Sequence, residues 1–282
     1  PGLLEGRLTL DNAQPVTLDR DGLPLRSLRA RLRWSEALMQ LYEMEARLGS
    51  EGRLSGEADW RPHTQQGALR LQVHALDPQA IDSRAPTLRL GGEIALGSTG
   101  AEQQAHVALT DGKISFDGAL HRQGTRIGLH TLRLARGDTE LSGEGELMLD
   151  RQRSFELDMR LRRLDLREFL DTPSTELNAV LHAGGTLLPE PQIELGFNLG
   201  RSRFAQHEIG GEGRLQMQGD RRAEGDIALR LGDNALDVEL AYGTAADYFR
   251  LMLDAPRLEQ FGGGLSGQLG GQAELRGSLA EP

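Results

Sequence analysis

The chain has 282 residues and a net charge of −10, with no Cys, 36 Gly and only 4% aromatic residues. That excludes a disulfide framework and thiolate chemistry. The acidic balance disfavours nucleic acid and anionic membrane surfaces as direct partners, and no run of about 18 apolar residues is available to cross a bilayer as a helix.

From the N-terminus, the first 34 residues carry one clear turn signal, Arg20-Asp21-Gly22. Residues 35–48 admit two readings. Ser35 caps a helix bearing Leu38, Leu41, Tyr42 and Leu48, or the stretch is a strand with Tyr42, Met44, Ala46 and Leu48 on one face. The flanking segments favour the strand.

From residue 69 a period of two takes over, which places every second side chain on one face of a sheet. The strand 69–75 puts Leu69, Leu71 and Val73 on that face, and 88–96 adds Leu88, Leu90, Ile94 and Leu96. Strands follow at 105–109 and 114–121, and 127–135 contributes Ile127 and Leu129. Strand 139–149 precedes 155–163, which contributes Leu157, Met159 and Leu161, and 177–183 contributes Leu177 and Leu181. Next come 192–200 with Ile193, Leu195, Phe197 and Leu199, strand 213–218, and 226–231 with Ile227, Leu229 and Leu231. Strand 235–242 brings Leu236, Val238 and Leu240, 248–254 brings Leu251 and Leu253, and 269–276 closes the series. Turns are marked by Asp111-Gly112-Lys113, Arg136-Gly137-Asp138, Gly219-Asp220-Arg221 and Gly232-Asp233-Asn234. Such spacing predicts an antiparallel meander without βαβ units. Alternation places Leu71, Ile94, Leu157, Leu195, Leu229 and Leu240 on a common concave surface, with Arg70, Glu93, Asp158, Glu194 and Arg230 opposite.

A longer repeat lies above the hairpins. Strand, Leu76-Asp77-Pro78 and Ile81 are followed by strand, Leu164-Asp165-Leu166 and Phe169, then by strand, Ala255-Pro256-Arg257-Leu258 and Phe261. The terminal apolar residues are 88 and 92 positions apart. Asp77 and Asp165 are placed to cap single helical turns. Each unit leads into a Gly-rich strand, at 90–94, 183–187 and 269–273, where bends are expected. The chain is therefore expected to be one continuous segment with approximate units 1–96, 97–187 and 188–282. It starts and ends in mid-pattern and reads as an interior piece of a longer protein.

No catalytic constellation stands out, and no cofactor or metal is called for. Gly262, Gly264 and Gly267 match a dinucleotide-binding spacing but lack the βαβ context. His121 and His130 can approach across a hairpin, without ligand spacing. The carboxylates Glu140, Glu144, Glu146, Glu224, Asp226, Asp237 and Glu239 fit a solvated outer face better than a glycosidase pair. A β-sandwich core would account for the aliphatic stripes. The long run of strands, the scarcity of aromatics and the repeat argue instead for growth in one direction.

The runs Ile227-Ala228-Leu229-Arg230-Leu231-Gly232-Asp233-Asn234-Ala235-Leu236, Leu240-Ala241-Tyr242-Gly243, Leu253-Asp254-Ala255-Pro256 and Leu265-Ser266-Gly267-Gln268-Leu269 resemble the TamB family of AsmA-like proteins of Gram-negative bacteria. Gly52-Arg53-Leu54-Ser55-Gly56, Leu76-Asp77-Pro78 and Leu141-Ser142-Gly143-Glu144-Gly145 resemble it too. The resemblance implies an all-β fold: an elongated, mostly antiparallel sheet folded into a U-shaped β-taco groove with short single-turn helices. It implies a non-enzymatic periplasmic bridge that carries phospholipid between inner and outer membrane. It also implies an inner-membrane anchoring helix and a C-terminal domain that contacts a TamA-like outer-membrane barrel, neither found in this chain. The 26 strand residues named above from Leu69 to Leu253 would then line the lipid groove. An assembly factor for outer-membrane β-barrels, acting through exposed strand edges, is the alternative.

Overall fold

Alternation of aliphatic or small residues with polar ones makes strands almost throughout, as the period of two demands. A computed structural model describes residues 2–168, 172–219, 222–243 and 247–277. Phe169, Asp220 and Arg221, named above in a repeat and a turn, lie outside those residues. The chain divides into two compact units, residues 1–137 and 138–282. The 90-residue repeat is a different division, carried by the single turns described below.

The first unit is a meander of β1 (Leu4–Asp11), β2 (Leu25–Trp34), β3 (Met39–Leu48), β4 (Gly52–Arg61), β5 (Gln66–Leu76), β6 (Leu90–Thr99), β7 (Glu102–Thr110), β8 (Ile114–Gln123) and β9 (Arg126–Arg136). Each strand pairs antiparallel with the next. Four of these, β1 to β4, precede residue 69 and give definite bounds to the strand reading favoured for 35–48 and its flanks. Residues 39–48 are a strand, but Tyr42 leaves the face of Met44, Ala46 and Leu48. Glu43 sits at φ 49° and the register shifts between Leu41 and Met44. The bulge places Tyr42 opposite Arg31 and turns its ring to Arg33, with the guanidinium 5.6 Å from the ring centre. Leu88 is likewise outside its expected strand. β6 begins at Leu90, and Leu88 packs from the preceding loop against Leu48, Val73, Leu76 and Leu90.

The second unit is a meander of β10 (Thr139–Met148), β11 (Ser154–Leu164), β12 (Thr175–Thr186), β13 (Gln192–Phe204), β14 (His207–Gln218), β15 (Arg222–Leu231), β16 (Asn234–Tyr242), β17 (Tyr248–Ala255) and β18 (Leu269–Arg276). Again each strand pairs antiparallel with the next. Both units are built from curled sheet that is not closed into a barrel.

Single 3-10 turns interrupt the meander at Leu18–Arg20, Pro78–Ala80, Leu166–Glu168 and Leu258–Phe261. Ahead of the second and third, Ala75 and Arg163 take up φ 50° in β5 and β11 and the register shifts. That slip brings Leu76 opposite Leu90 and Leu164 opposite Leu177, restoring the apolar phase. Asp77 then accepts hydrogen bonds from the backbone N–H of Gln79 (3.1 Å) and Leu88 (3.3 Å). Asp165 accepts in the same way from Arg167 (3.1 Å) and Thr175 (3.3 Å). Each aspartate therefore caps its turn and pins the entry of the next strand. Arg257, at the third site, makes no side-chain cap. Asn234 takes over: its Oδ1 accepts from Arg257 N–H (3.0 Å) and its Nδ2 donates to the Arg257 carbonyl (2.9 Å).

Candidate functional site

Cross-strand register fixes which side chains share a face, because directly opposed residues point the same way. In the first unit one row runs Ala58, Leu69, Leu96, Ala105, Leu120, Leu129, and the next runs Gly56, Leu71, Ile94, Val107, Gly118, Leu132. Arg70 and Glu93 fall on the other face. In the second unit three rows cross every strand from β10 to β17. One is Gly143, Met159, Leu181, Phe197, Gly213, Ile227, Val238, Leu251. Beside it run Gly145, Leu157, Ala183, Leu195, Leu215, Gly225, Leu240, Phe249 and Leu141, Leu161, Ala179, Leu199, Gly211, Leu229, Leu236, Leu253. Leu177, Ile193 and Leu231 lie in phase with these rows. Asp158, Glu194 and Arg230 lie opposite. Apart from Leu88, every residue expected to line the apolar face is on a strand and in that phase within its own unit.

Glycine has a second role here besides turns. Gly213 leaves room for the Phe197 ring, and a Cβ at Gly225 or Gly145 would come within 3.1 Å of Leu215 Cδ1 or 3.0 Å of Leu157 Cδ1. Large residues lean across the glycine beside them, so the rows stay smooth without aromatic filling.

The face is not a sealed core. Leu181, Leu195 and Ile227 keep 37%, 38% and 37% of their surface exposed. They line an open cavity of about 440 Å³ together with Leu157, Met159, Phe197, Val238 and Leu240. Most of the buried side chains lie at the strand ends that carry the 3-10 turns, with Ala30 within β2 and Ala241 at the far end of β16 outside them. In the first unit Leu48, Val73, Leu76 and Leu90 form the buried cluster, with Ile81 packed on it. In the second unit that end is partly polar: Thr175, Ser202, Asn234 and Gln260 are buried and hydrogen-bonded. Each unit thus has one capped end and one open end of its apolar face.

The opposite face is charged and solvated. Arg230 pairs with Asp237 (2.9 Å), Arg222 with Glu224 (2.6 Å) and Arg250 with Glu239 (2.9 Å). Exposed pairs of this kind contribute little to stability. His121 and His130 do meet across β8 and β9, with ring centres 5.9 Å apart. The described residues best placed to hold a metal are Glu156, Asp158 and His182, whose ligating atoms lie within 4.8 Å of one another. All three are exposed and on the polar face. Asp158 Oδ1 is 2.9 Å from His182 Nδ1. That hydrogen bond holds the imidazole pKa above its ordinary value, helped by the charges of Asp158, Glu156 and Glu194. Gly262, Gly264 and Gly267 stand in the loop between the Leu258–Phe261 turn and β18, all at positive φ, and serve as loop glycines.

No family model, curated protein or solved structure matches this chain. Among the described residues no helix is long and apolar enough to cross a membrane.

Proposed function

We propose that this chain is a segment of a lipid-conducting groove of the AsmA-like, TamB type, working in the periplasm of a Gram-negative cell. Phospholipid acyl chains lie on the apolar rows while head groups stay in water. No reaction is involved. The observation that carries this reading is the half-exposed apolar face of the second unit, unbroken by charge across eight strands and hollowed into a cavity of about 440 Å³. Cavities of roughly 300–1,000 Å³ are the usual size for holding small ligands. Each methylene taken from water contributes about 0.8 kcal/mol. A lining that offers neither hydrogen bonds nor charge lets a chain slide from row to row. Full-length relatives of the TamB type would supply the membrane anchor and the contact to a TamA-like barrel.

The test is native mass spectrometry of the purified chain, with photo-crosslinkers at Leu195 and Phe197. Co-purifying phospholipid that crosslinks at both positions supports the groove. A lipid-free protein that takes up no phospholipid from vesicles sinks it.

One observation favours the alternative of β-barrel assembly. β18 is exposed at every position and has β17 as its strand partner among the described residues. Such an edge offers backbone groups for strand addition. Crosslinking from β18 to an unfolded barrel strand, with no lipid at Leu195, would select that reading.

A further inference from the structure

The apolar face of the first unit ends in a polar step. The row Leu69, Leu96, Ala105, Leu120, Leu129 is followed, two residues outward along the strands, by Gly67, Ser98, Gln103, Arg122, Ile127. Two residues of strand cover about 7 Å. Among the described residues of this unit, the strand positions in phase with the apolar face carry two charges, Arg122 and Arg136. Arg136 is opposite Ile114, at the capped ends of β8 and β9, and Arg122 is at their open ends. Immediately inside Arg122, Leu96 and Leu120 are 42% and 45% exposed. The nearest acid on the neighbouring strand, Glu102, is on the opposite face, accepting a hydrogen bond from Gln123 (3.2 Å) and standing 3.7 Å from His121.

We propose that Gln103 and Arg122 bind the anionic head of an amphiphile whose tail lies on Leu96 and Leu120. This rests on the groove reading and adds a polarity to it: heads at the open strand ends, tails toward the buried cluster around Leu76 and Leu90. The sign follows from charge complementarity, since the charge at the open edge of this face is a cation. The guanidinium already donates to the Gly124 carbonyl (3.1 Å) and to Gln103 Oε1 (3.3 Å). Those contacts use two of its five N–H donors and aim the fork across the row. A phosphate or carboxylate head accepts bidentately from the rest.

Because the chain has no Cys, a fluorophore on Leu132→Cys reports on this face alone. The probes are dodecyl phosphate, dodecyl maltoside and inorganic phosphate, each below micelle-forming concentration. The labelled chain is expected to bind dodecyl phosphate about tenfold more tightly than dodecyl maltoside, the scale of one charge-assisted contact. Arg122→Gln is expected to abolish that preference, leaving maltoside affinity and the circular dichroism spectrum unchanged, and Arg122→Lys to keep part of it. Persistence of the preference in Arg122→Gln overturns the head-group assignment while leaving the groove standing. Inorganic phosphate binding as tightly as dodecyl phosphate overturns the amphiphile as ligand. Failure of the labelled chain to bind either amphiphile overturns the groove reading itself for this face.

Discussion

His182 and Asp158 face each other directly across β11 and β12, with Nδ1 2.9 Å from Oδ1. The imidazole therefore binds its proton more tightly folded than unfolded. Stability from this pair is complete below the unfolded-state pKa of about 6.5. It is lost as pH rises through the higher folded value. Asp158→Asn should lower the His182 pKa, read by NMR titration of the ring protons. The same variant should lose more melting temperature at pH ~5 than at pH ~8, inside the window where histidine titrates. An unchanged His182 titration in Asp158→Asn would contradict the assignment.

A charge placed on the open part of the apolar face should block lipid without unfolding the sheet. Leu195→Arg can send its guanidinium to water, because Leu195 is 38% exposed. Phe197→Asp and Leu229→Arg sit on the other two rows of the same face and should behave alike. Leu231 is buried at the capped end, so Leu231→Arg should cost several kcal/mol and lose the fold of its unit. Circular dichroism melts and lipid crosslinking on the four variants separate the cases. Equal unfolding of all four would mean that the face is a closed core.

Much of this arrangement is legible in the sequence, and the misses have identifiable causes. Strands from residue 69 onward alternate over most of their length, so most of their faces read off directly. The Asp77 and Asp165 caps are local chemistry and read off as well. What is hidden is anything that breaks the period. Glu43, Ala75 and Arg163 adopt positive φ without being glycine, and each slips the register by one residue. The trace of such a slip is a spacing of three between apolar residues, as in Leu41 to Met44, Val73 to Leu76 and Leu161 to Leu164. β2 alternates over Leu28, Ala30, Leu32 and Trp34, but its arginines between them conceal it. Arg122 continues the phase of Leu120 and marks the end of the face, a signal that only register with Gln103 and Ser98 makes readable.

Three Gly-rich strands were expected to bend alike, and the structure distinguishes them. Gly92 and Gly185 have φ 145° and 147°, and a Cβ there would collide with the Ala108 and Gln192 carbonyl oxygens of the adjacent strands. Gly271 has open space around its Cβ position. The glycines also fall at different places: Gly92 near the start of β6, Gly185 at the end of β12. Gly92→Val and Gly185→Val should each destabilise by about 2 kcal/mol or more, from backbone strain and displaced strands. Gly271→Val should leave the melting temperature nearly unchanged. Thermal melts decide, and a large loss in Gly271→Val would refute the distinction.

The Asp165 carboxyl is held down to about 2, chiefly by the Arg167 guanidinium and then by backbone N–H donors. Its contribution is present above the unfolded carboxylate pKa of about 3.9. It disappears as pH falls through the folded value. Asp165→Asn should therefore differ from the parent above pH ~4 and converge with it near pH ~2, in melts followed by circular dichroism. A constant difference across that range would assign the loss to the cap hydrogen bonds alone.

Asn234 is the largest fully buried side chain among the described residues. Its amide donates to the Arg257 carbonyl and to Gln260 Oε1 (3.0 Å), while its carbonyl accepts from Arg257 N–H (3.0 Å). Gln260 Oε1 also accepts from Asp233 N–H (2.9 Å), and Gln260 Nε2 donates to Asp233 Oδ2 (3.0 Å). This network ties the Leu258–Phe261 turn to the hairpin between β15 and β16, replacing the aspartate cap used at the Pro78–Ala80 and Leu166–Glu168 turns. Asn234→Ala leaves the Arg257 N–H and carbonyl without that partner at a part-buried position, and should cost about 1 kcal/mol or more, the scale of a lost hydrogen bond. Gln260→Ala also removes three bonds, but two of them are to Asp233, which is exposed to water, so it should cost less. Because both belong to one network, the double variant should lose less than the two single losses added together. Lipid crosslinking at Leu195 should survive in Gln260→Ala, since the network lies at the capped end and the cavity does not include it. Additive losses in chemical denaturation would show that the two residues act separately, and loss of crosslinking in a still-folded Gln260→Ala would show that the capped end also shapes the open face.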